Sequence, residues 1–467
     1  MNLLFVFLKD LPLSKRVQVN AMMPRGTLGS VWALLNEQAT IGDFDKKSII
    51  DKTGVSTSHL DKITSELLTK CYQILFGNDA VALLEFLSSQ VPLIKLFYSE
   101  MYRQLNLFSK VADNGKQIEL IQQCFRMINN NMPMAYRDPK AIDKLSSQYI
   151  SLFKGKQKKQ AEFYVGCKQL LQRIEVLFAA STIKEKADEI ENEFVTLGLP
   201  KPDYDSNTVF EYYWIKSFFY HAKEQFNTGF EIACEGLTAL SKYDEEDNRV
   251  NSLRMELKKN EFRYYLSQFD AAYENYHRLI KSPIMDLVSD RPYHLNKYLQ
   301  LCLITDHLED AGIIVQQRLD RMGGRVDQLI IIRDVISYIK YYLLSGNYDQ
   351  AFSLLKIGFE KNPKGKYFQY EVELRNLQTA YFYLSSQLDV AMDMCRTHIK
   401  FLRNHGYTSS NSDYPHFYVI INALIEKGTK EPLSVRHQKM FDRYQLGSFA
   451  IYGRLLQKIR KHKSSRY

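Results

Sequence analysis

Apolar residues recur at positions i, i+3, i+4 and i+7 along nearly every long segment of the chain. This spacing places the apolar side chains on one face of an α-helix, and the strict alternation that is typical of β-strands is scarce. The chain contains 21 glycines and 12 prolines, which is few for an all-β protein with many tight turns. The sequence therefore predicts an all-α protein.

A four-residue pattern recurs five times within the predicted helices. An aromatic residue or leucine is followed by two variable residues and then by a small residue. The small residues are Gly229, Ala272, Ala311, Ala351 and Ala391, separated by 43, 39, 40 and 40 positions. Self-similarity at such a regular period is typical of proteins built from stacked helical pairs.

The clearest copy contains a helix, a Gly-Asn turn and a second helix, with Tyr342, Tyr348, Ala351 and Pro363 at its key positions. The small side chain of Ala351 allows the two helices to approach closely, the tyrosines fill the wedge between them, and Pro363 ends the second helix. This segment resembles the tetratricopeptide repeat, and the resemblance extends over about residues 205–405. The period near 40 exceeds the family's usual length of about 34 residues, so we expect longer helices.

The resemblance implies a right-handed α–α superhelix in which the first helix of each pair contributes to a concave groove that binds a protein or peptide. The residues that the repeat register turns toward this groove are Trp214, Phe218, His221, Arg254, Leu257, Tyr264, Tyr293, Asn296, Gln300, Arg333, Lys340, Asn376 and Tyr383. Amide side chains suit the backbone of a peptide, and cations suit its carboxylates. The alternative is that these residues form only the amphipathic surface of the first helices.

The remaining sequence falls into three regions. Residues 1–79 form a predicted helical head, and residues 80–204 form irregular helical pairs without a clear repeat motif. Residues 406–467 contain the predicted capping helices, including one long helix over 434–461, and a basic tail. With its head and repeats, the whole chain looks like a group of uncharacterised bacterial tetratricopeptide proteins.

Within the head, residues 46–76 are weakly similar to a helix-turn-helix unit. One helix ends at Gly54, and Ser56 caps a second helix. The candidate nucleic-acid-binding residues at the start of that second helix are Ser56, Thr57, Ser58, His59 and Lys62. Specific DNA contacts depend heavily on arginine and lysine, and this segment has no arginine. We therefore favour a structural head over a DNA-binding one.

The positive charge of the chain is concentrated near its end. The 467 residues include 62 basic and 53 acidic side chains, which gives a formal net charge of +9. Seven of the basic residues follow Asp442, namely Arg443, Arg454, Lys458, Arg460, Lys461, Lys463 and Arg466. Cations near the end of a last helix are favourable because of the helix dipole. The other interpretation is a tail over 454–466 that binds polyanions or the ribosome.

The cysteines indicate a reducing compartment. The six of them, Cys71, Cys124, Cys167, Cys234, Cys302 and Cys395, are at least 43 residues apart, which excludes zinc-ligand spacing and a small disulfide framework. The apolar run near the start is too short for a signal peptide, and no apolar run approaches about 18 residues. We therefore expect a cytoplasmic protein that does not span a membrane.

Sequence motifs for catalysis are absent from the chain. It contains no phosphate-binding loop, no G-x-S-x-G and no H-E-x-x-H, and its ten histidines are dispersed. We therefore expect no catalytic residues, no cofactor and no metal. The leading hypothesis is a non-enzymatic adaptor or scaffold that binds a protein or peptide. The alternative is a transcription regulator with a DNA-binding head and a peptide-sensing repeat domain. The partner's identity and the oligomeric state stay open.

Overall fold

The computed structural model describes residues 3–11, 13–23, 25–41, 44–89, 93–110, 114–132, 136–288, 291–319, 328–362, 367–408, 416–427 and 432–464. Within these ranges it contains 24 α-helices and no β-strand, which confirms the prediction of an all-α protein. None of these described helices is long and apolar enough to cross a lipid bilayer.

The chain divides into two compact units, Met1–Lys201 and Pro202–Tyr467. The helices of the first unit are α1 (Leu3–Asp10), α2 (Leu13–Met22), α3 (Thr27–Ile41), α4 (Lys46–Thr53), α5 (Thr57–Phe76), α6 (Ala80–Ser89), α7 (Ile94–Lys110), α8 (Asn114–Asn131), α9 (Pro139–Ser151), α10 (Gly155–Ala179) and α11 (Ala187–Leu197). The apolar faces of α1 to α10 share one hydrophobic core.

A tight turn joins α4 to α5 in the head. The side chain of Asp45 caps α4 by accepting a hydrogen bond from the backbone N–H of Ser48 at 3.0 Å. Gly54 ends α4 in the left-handed conformation, with φ of 70°, and Ser56 caps α5 by accepting from the N–H of His59. Both helices pack against α3. The helix boundaries and the turn thus lie where the sequence predicts them.

The second unit contains thirteen described α-helices. They are α12 (Ser206–Ala222), α13 (Phe226–Leu240), α14 (Glu245–Tyr265), α15 (Phe269–Ile280), α16 (Arg291–Ile304), α17 (Leu308–Leu319), α18 (Gln328–Ser345), α19 (Tyr348–Lys361), α20 (Phe368–Leu384), α21 (Leu388–Asn404), α22 (His416–Lys427), α23 (Val435–Arg443) and α24 (Ala450–Ser464). Helices α12 to α21 form five consecutive hairpins, and each hairpin also packs against the next one.

The five hairpins share one turn geometry. The residue two positions before each second helix has a positive φ, and these residues are Glu224, Ser267, Asp306, Gly346 and Ser386, with φ between 61° and 89°. The residue after it donates its N–H to the carbonyl five positions earlier, as Gln225 does to Tyr220 and Asn347 does to Tyr342, both at 2.9 Å. This helix ending usually takes glycine, because other residues pay a steric cost there. Only one of the five hairpins has glycine there, and the other four form the same turn with a different residue.

The small residues of the repeated pattern occupy equivalent positions in the hairpins. Each of the five is the fourth residue of its second helix, and each is buried. A Cβ atom added to Gly229 would overlap the ring of Phe262 on α14. Close helix contact therefore requires a small residue there. Pro363, which the sequence predicts to end α19, lies outside the described residues.

The chain after the hairpins differs from the prediction. Instead of one helix over 434–461, the structure has α23 and α24, with a 3₁₀ helix at Gly447–Phe449 between them. The break occurs at Gly447, which has a left-handed φ of 52° and redirects the chain. Helix α24 packs against α16, α18 and α20, and the 3₁₀ helix contacts α14. The last helix is therefore joined to the first helices of three hairpins.

Candidate functional site

The first helices of the five hairpins carry the residues that the sequence predicts to bind a ligand. Helices α12, α14, α16, α18 and α20 contact one another in this order, and we call the sides that bear these residues the first-helix face. Helix α24 covers the part on α16, α18 and α20, which we call the covered stretch. The part formed by α12, α14 and the beginning of α16 we call the open stretch.

A cation stacks on aromatic rings in the open stretch. The guanidinium carbon of Arg254 lies 4.9 Å from the ring centre of Phe210 and 4.8 Å from that of Trp214. Arg254, Trp214 and Phe218 are all half-buried. Within the described residues Arg254 has no carboxylate partner, and its Nε atom has no hydrogen-bond partner. Its guanidinium is therefore positioned by stacking and remains available to a ligand.

The open stretch contains a buried carboxylate, that of Glu261 on α14. Glu261 forms an ion pair with Lys258 at 2.8 Å, and the hydroxyl of Tyr293 donates a hydrogen bond to it. Both members of the ion pair are about nineteen-twentieths buried. Burial opposes ionisation of Glu261, but the Lys258 ammonium outweighs it and holds the pKa of this carboxyl well below its usual range. The pair is thus charged and held in place by its partners.

His221 lies beside this ion pair as a neutral side chain. Its Nε2 atom is 3.9 Å from Glu261, and its ring lies 4.9 Å from that of Tyr265. Burial, reinforced by the charge of Lys258, lowers the pKa of His221 to about 4. At neutral pH the imidazole is therefore uncharged, and its Nδ1 atom has no hydrogen-bond partner among the described residues.

Polar contacts tie α24 to the covered stretch. The ammonium of Lys340 donates to Glu373 at 2.6 Å and lies 4.9 Å from the ring of Tyr452 on α24. The hydroxyl of Tyr452 also donates to Glu373, at 3.0 Å. Leu455 and Leu456 on the same helix are completely buried. The last helix thus adds a hydroxyl group and an aromatic ring to the Lys340–Glu373 ion pair of the covered stretch.

A cavity of about 350 Å³ remains between the covered stretch and residues 444–452, which we call the C-terminal segment. Its polar lining includes Lys297, Gln300, Lys340, Glu373 and Asn376, and its apolar lining includes rings from the C-terminal segment. This volume lies at the lower end of the range for small-molecule pockets, roughly 300–1,000 Å³. The covered stretch therefore encloses a small polar space instead of an extended groove.

The structure separates the predicted groove residues into two groups. Trp214, Phe218, His221, Arg254, Tyr293, Gln300 and Arg333 are half-buried, whereas Leu257, Tyr264, Asn296, Lys340, Asn376 and Tyr383 are buried. Packing explains the second group, because Asn296 accepts a hydrogen bond from Ser337 and Tyr383 belongs to the hydrophobic core. The first seven side chains are thus partly exposed on the first-helix face, whereas these six are not.

Sequence reasoning missed four residues that shape this face. Lys258 and Lys297 lie one helical turn after the predicted residues Arg254 and Tyr293, so the same helical spacing would have identified them. Glu373 and Tyr452 meet only because α24 folds back onto α20. No local sequence pattern predicts that contact.

Two cations of the basic tail contact groups at the ends of other helices. Arg454 forms an ion pair with Asp306 at 2.6 Å, and the Lys458 ammonium donates to the carbonyl of Leu344 at 2.6 Å, near the end of α18. Both contacts fall near the ends of first helices. The free carbonyl group at the end of α18 attracts Lys458, whereas Arg454 pairs with a side-chain carboxylate. Lys461 is exposed, and Arg466 lies outside the described residues.

In the first unit, the candidate nucleic-acid-binding residues are all exposed. These residues are Ser56, Thr57, Ser58, His59 and Lys62. The neighbouring cation Lys46 pairs with Asp61 at 2.9 Å, which reduces the positive charge at this surface. The start of α5 is thus accessible but only weakly basic.

The six cysteines are all free, and five of them are buried while Cys234 is half-buried. Among the described residues, no group of three or more histidine, cysteine or acidic side chains is placed to hold a metal ion. Comparison of the chain with protein-family models, curated proteins and solved structures gives no match.

Proposed function

We propose that the chain is a non-enzymatic adaptor that binds acidic peptide segments of a partner protein at the open stretch. The single observation that carries this proposal is the guanidinium of Arg254, which stacks on Trp214 and Phe210 without a carboxylate partner among the described residues. The N–H groups of a partly buried guanidinium without an anionic partner donate strong hydrogen bonds to a carboxylate.

The surroundings of Arg254 fit the same ligand. Trp214 and Phe218 supply half-buried aromatic surface for apolar side chains, and aromatic and arginine residues dominate the energetics of protein interfaces. The charge of Lys258 is already balanced by Glu261. Arg254 therefore remains as the unbalanced charge, and the open stretch favours a segment in which acidic and apolar residues alternate.

The repeat architecture is the second part of the proposal. We propose that the five hairpins form a right-handed superhelix of the tetratricopeptide type, with the first-helix face on its concave side. The equivalent turns and the equivalent small residues support this interpretation. In such a superhelix the first helices bind extended or helical peptides.

The test uses Trp214 as an intrinsic reporter. The chain has two tryptophans, Trp32 and Trp214, so a Trp32→Phe chain has fluorescence from the open stretch alone. This chain is titrated with a pool of short peptides rich in Asp and Glu, and with a matched pool in which Asn and Gln replace them. We expect a saturable change in fluorescence with the acidic pool only.

Variants of the same chain identify the responsible residue. Arg254→Met keeps the aliphatic stem and should weaken acidic-peptide binding by about tenfold or more, since a hydrogen bond to a charged group contributes roughly 1.5–3 kcal/mol. Arg396→Met changes an exposed arginine that pairs with Asp393 and should bind like the parent. Equal responses to both pools, or full binding by Arg254→Met, would contradict the proposal.

DNA binding by the head is the second candidate function. It is favoured by the capped, exposed start of α5 and opposed by its low positive charge. An electrophoretic shift with genomic fragments at about 50 mM salt tests it, because phosphate contacts strengthen as salt falls. A retarded complex that Lys62→Glu abolishes would establish this function, and free DNA at every protein concentration would exclude it.

A further inference from the structure

The cavity in the covered stretch contains polar groups whose bonding capacity is not used. Lys297 donates a hydrogen bond to the hydroxyl of Tyr265 at 3.2 Å and lies over the rings of Tyr264 and Tyr265 at 4.6 and 4.8 Å. Within the described residues it has no ion pair with a carboxylate. The Lys297 side chain is half-buried, and the charge of Glu261 acts on it only from beyond ion-pair distance. An anionic group in the cavity would therefore stabilise its ammonium.

Acceptors without donors lie on the α20 side of the same cavity. The amide oxygen of Asn376, a residue about nineteen-twentieths buried, has no hydrogen-bond partner in the described part of the chain. Both hydrogen bonds that Glu373 accepts go to its Oε2 atom, so its Oε1 atom is also free within the described residues. A cationic N–H donor is the group that satisfies these two acceptors together.

The cavity thus presents the ammonium of Lys297 on α16, the Lys340–Glu373 ion pair, and free acceptor atoms on α20. Its volume of about 350 Å³ suits a small molecule, and the C-terminal segment bounds it through Tyr444, Phe449 and Tyr452. Gln369 also lines it and is exposed, which marks a route to solvent. We propose that this cavity binds a small zwitterion of the amino-acid class, with its carboxylate at Lys297 and its ammonium at Glu373 and Asn376.

This ligand site is separate from the open stretch and does not depend on the proposed adaptor function. Arg254 and Trp214, which carry that function, do not line the cavity. A free amino acid bound here would contact both the hairpins and α24. Its binding would therefore stabilise the packing of the last helix against the first helices.

The first experiment tests the ligand class on the wild-type chain. Isothermal titration calorimetry is carried out with each of the free protein amino acids. For those that bind, it is repeated with the matching amino-acid amide, N-acetyl amino acid and glycyl dipeptide. We expect at least one free amino acid to bind with Kd near or below ~1 mM, and each derivative to bind at least about tenfold more weakly.

The second experiment locates the site. Lys297→Met removes the charge of a half-buried side chain and keeps its apolar stem. We therefore expect a folded chain, which circular dichroism checks, with at least about a tenfold loss of affinity. Lys356→Met changes an exposed lysine over Phe352 and should bind like wild type. Asn376→Leu should weaken binding of the free amino acid as well.

Three results would overturn the proposal. The first is that no free amino acid binds the wild-type chain, which would leave a cavity filled with water. The second is that the N-acetyl, amide or dipeptide form binds as tightly as the free amino acid. The third is that folded Lys297→Met retains wild-type affinity. The first two rest on the wild-type chain and so remain decisive even if a variant does not fold.

Discussion

The two stretches of the first-helix face differ in what satisfies their charges. In the covered stretch, Lys340 and Glu373 are paired with each other and with Tyr452 of α24. In the open stretch, Arg254 is stacked on rings but has no carboxylate partner among the described residues. The chain itself thus provides partners for Lys340 and Glu373, whereas the Arg254 guanidinium has no carboxylate partner among the described residues.

This difference shows why helical register alone does not identify a binding site. Lys340 and Arg254 both occupy first-helix positions that the repeat pattern turns toward the same face. They differ in their tertiary contacts, because Lys340 meets Glu373 of α20 and Tyr452 of α24, which are far from it in the sequence. A predicted groove is therefore a set of candidate positions, and tertiary contacts decide which of them a ligand can reach.

Removal of a large side chain from α24 should produce the largest effect. Leu456 is completely buried against the hairpins, so Leu456→Ala should destabilise the second unit by about 2–5 kcal/mol through lost burial and the resulting cavity. Urea unfolding followed by Trp214 fluorescence in the Trp32→Phe chain measures this unit alone. The control Val435→Ala changes a side chain that is 76% exposed and should cost less than about 0.5 kcal/mol. If Leu456→Ala lowers the free energy of unfolding by less than about 1 kcal/mol, the packing of α24 contributes little to the stability of this unit.

A substitution beneath the open stretch should have a smaller effect of a different kind. Gly229→Ala would force a Cβ against the buried ring of Phe262, and overpacking of this kind costs about 1–3 kcal/mol. Alanine is the better helix former by about 1 kcal/mol, so any net loss of stability comes from the overlap. The control Asn227→Ala alters an exposed residue of the same helix. A Gly229→Ala chain as stable as its parent would show that α13 and α14 can move apart.

The predictable features of this fold are the local ones. Short stretches of sequence are enough to predict the helical spacing, the turn at Gly346, and the small residues at Ala351 and its equivalents. The turns at Glu224 and Ser386 were not predictable, because these residues are not the ones that favour a positive φ. There the packing of the hairpin selects a conformation that local preference disfavours.

The candidate site was predictable only in part. Trp214, Phe218 and Arg254 were expected on the first-helix face and lie together there. The engagement of Lys340 by Tyr452 was not predictable, because it depends on the break at Gly447 and on the direction of α24. Hydrophobic patterning predicts a helix over most of 434–461 but does not predict where the chain folds back.

The smallest expected effect separates the two interpretations of the basic tail. Lys458 donates to the carbonyl of Leu344 at 2.6 Å, so Lys458→Met should lower the free energy of unfolding of the second unit by about 1–2 kcal/mol. Lys439→Met, which changes an exposed lysine of α23, serves as the control and should have little effect. Urea unfolding with the Trp214 reporter measures both.

If Lys458 instead serves a polyanion-binding surface, the two variants should be equally stable. Lys458→Met alone should then lose retention on a heparin column, because an exposed cation contributes to polyanion binding through its charge. We expect the opposite result, a less stable chain whose retention matches that of Lys439→Met. The Lys458 ammonium already lies against a helix carbonyl, and burial lowers its pKa. Both features are expected of a cation that stabilises the folded chain.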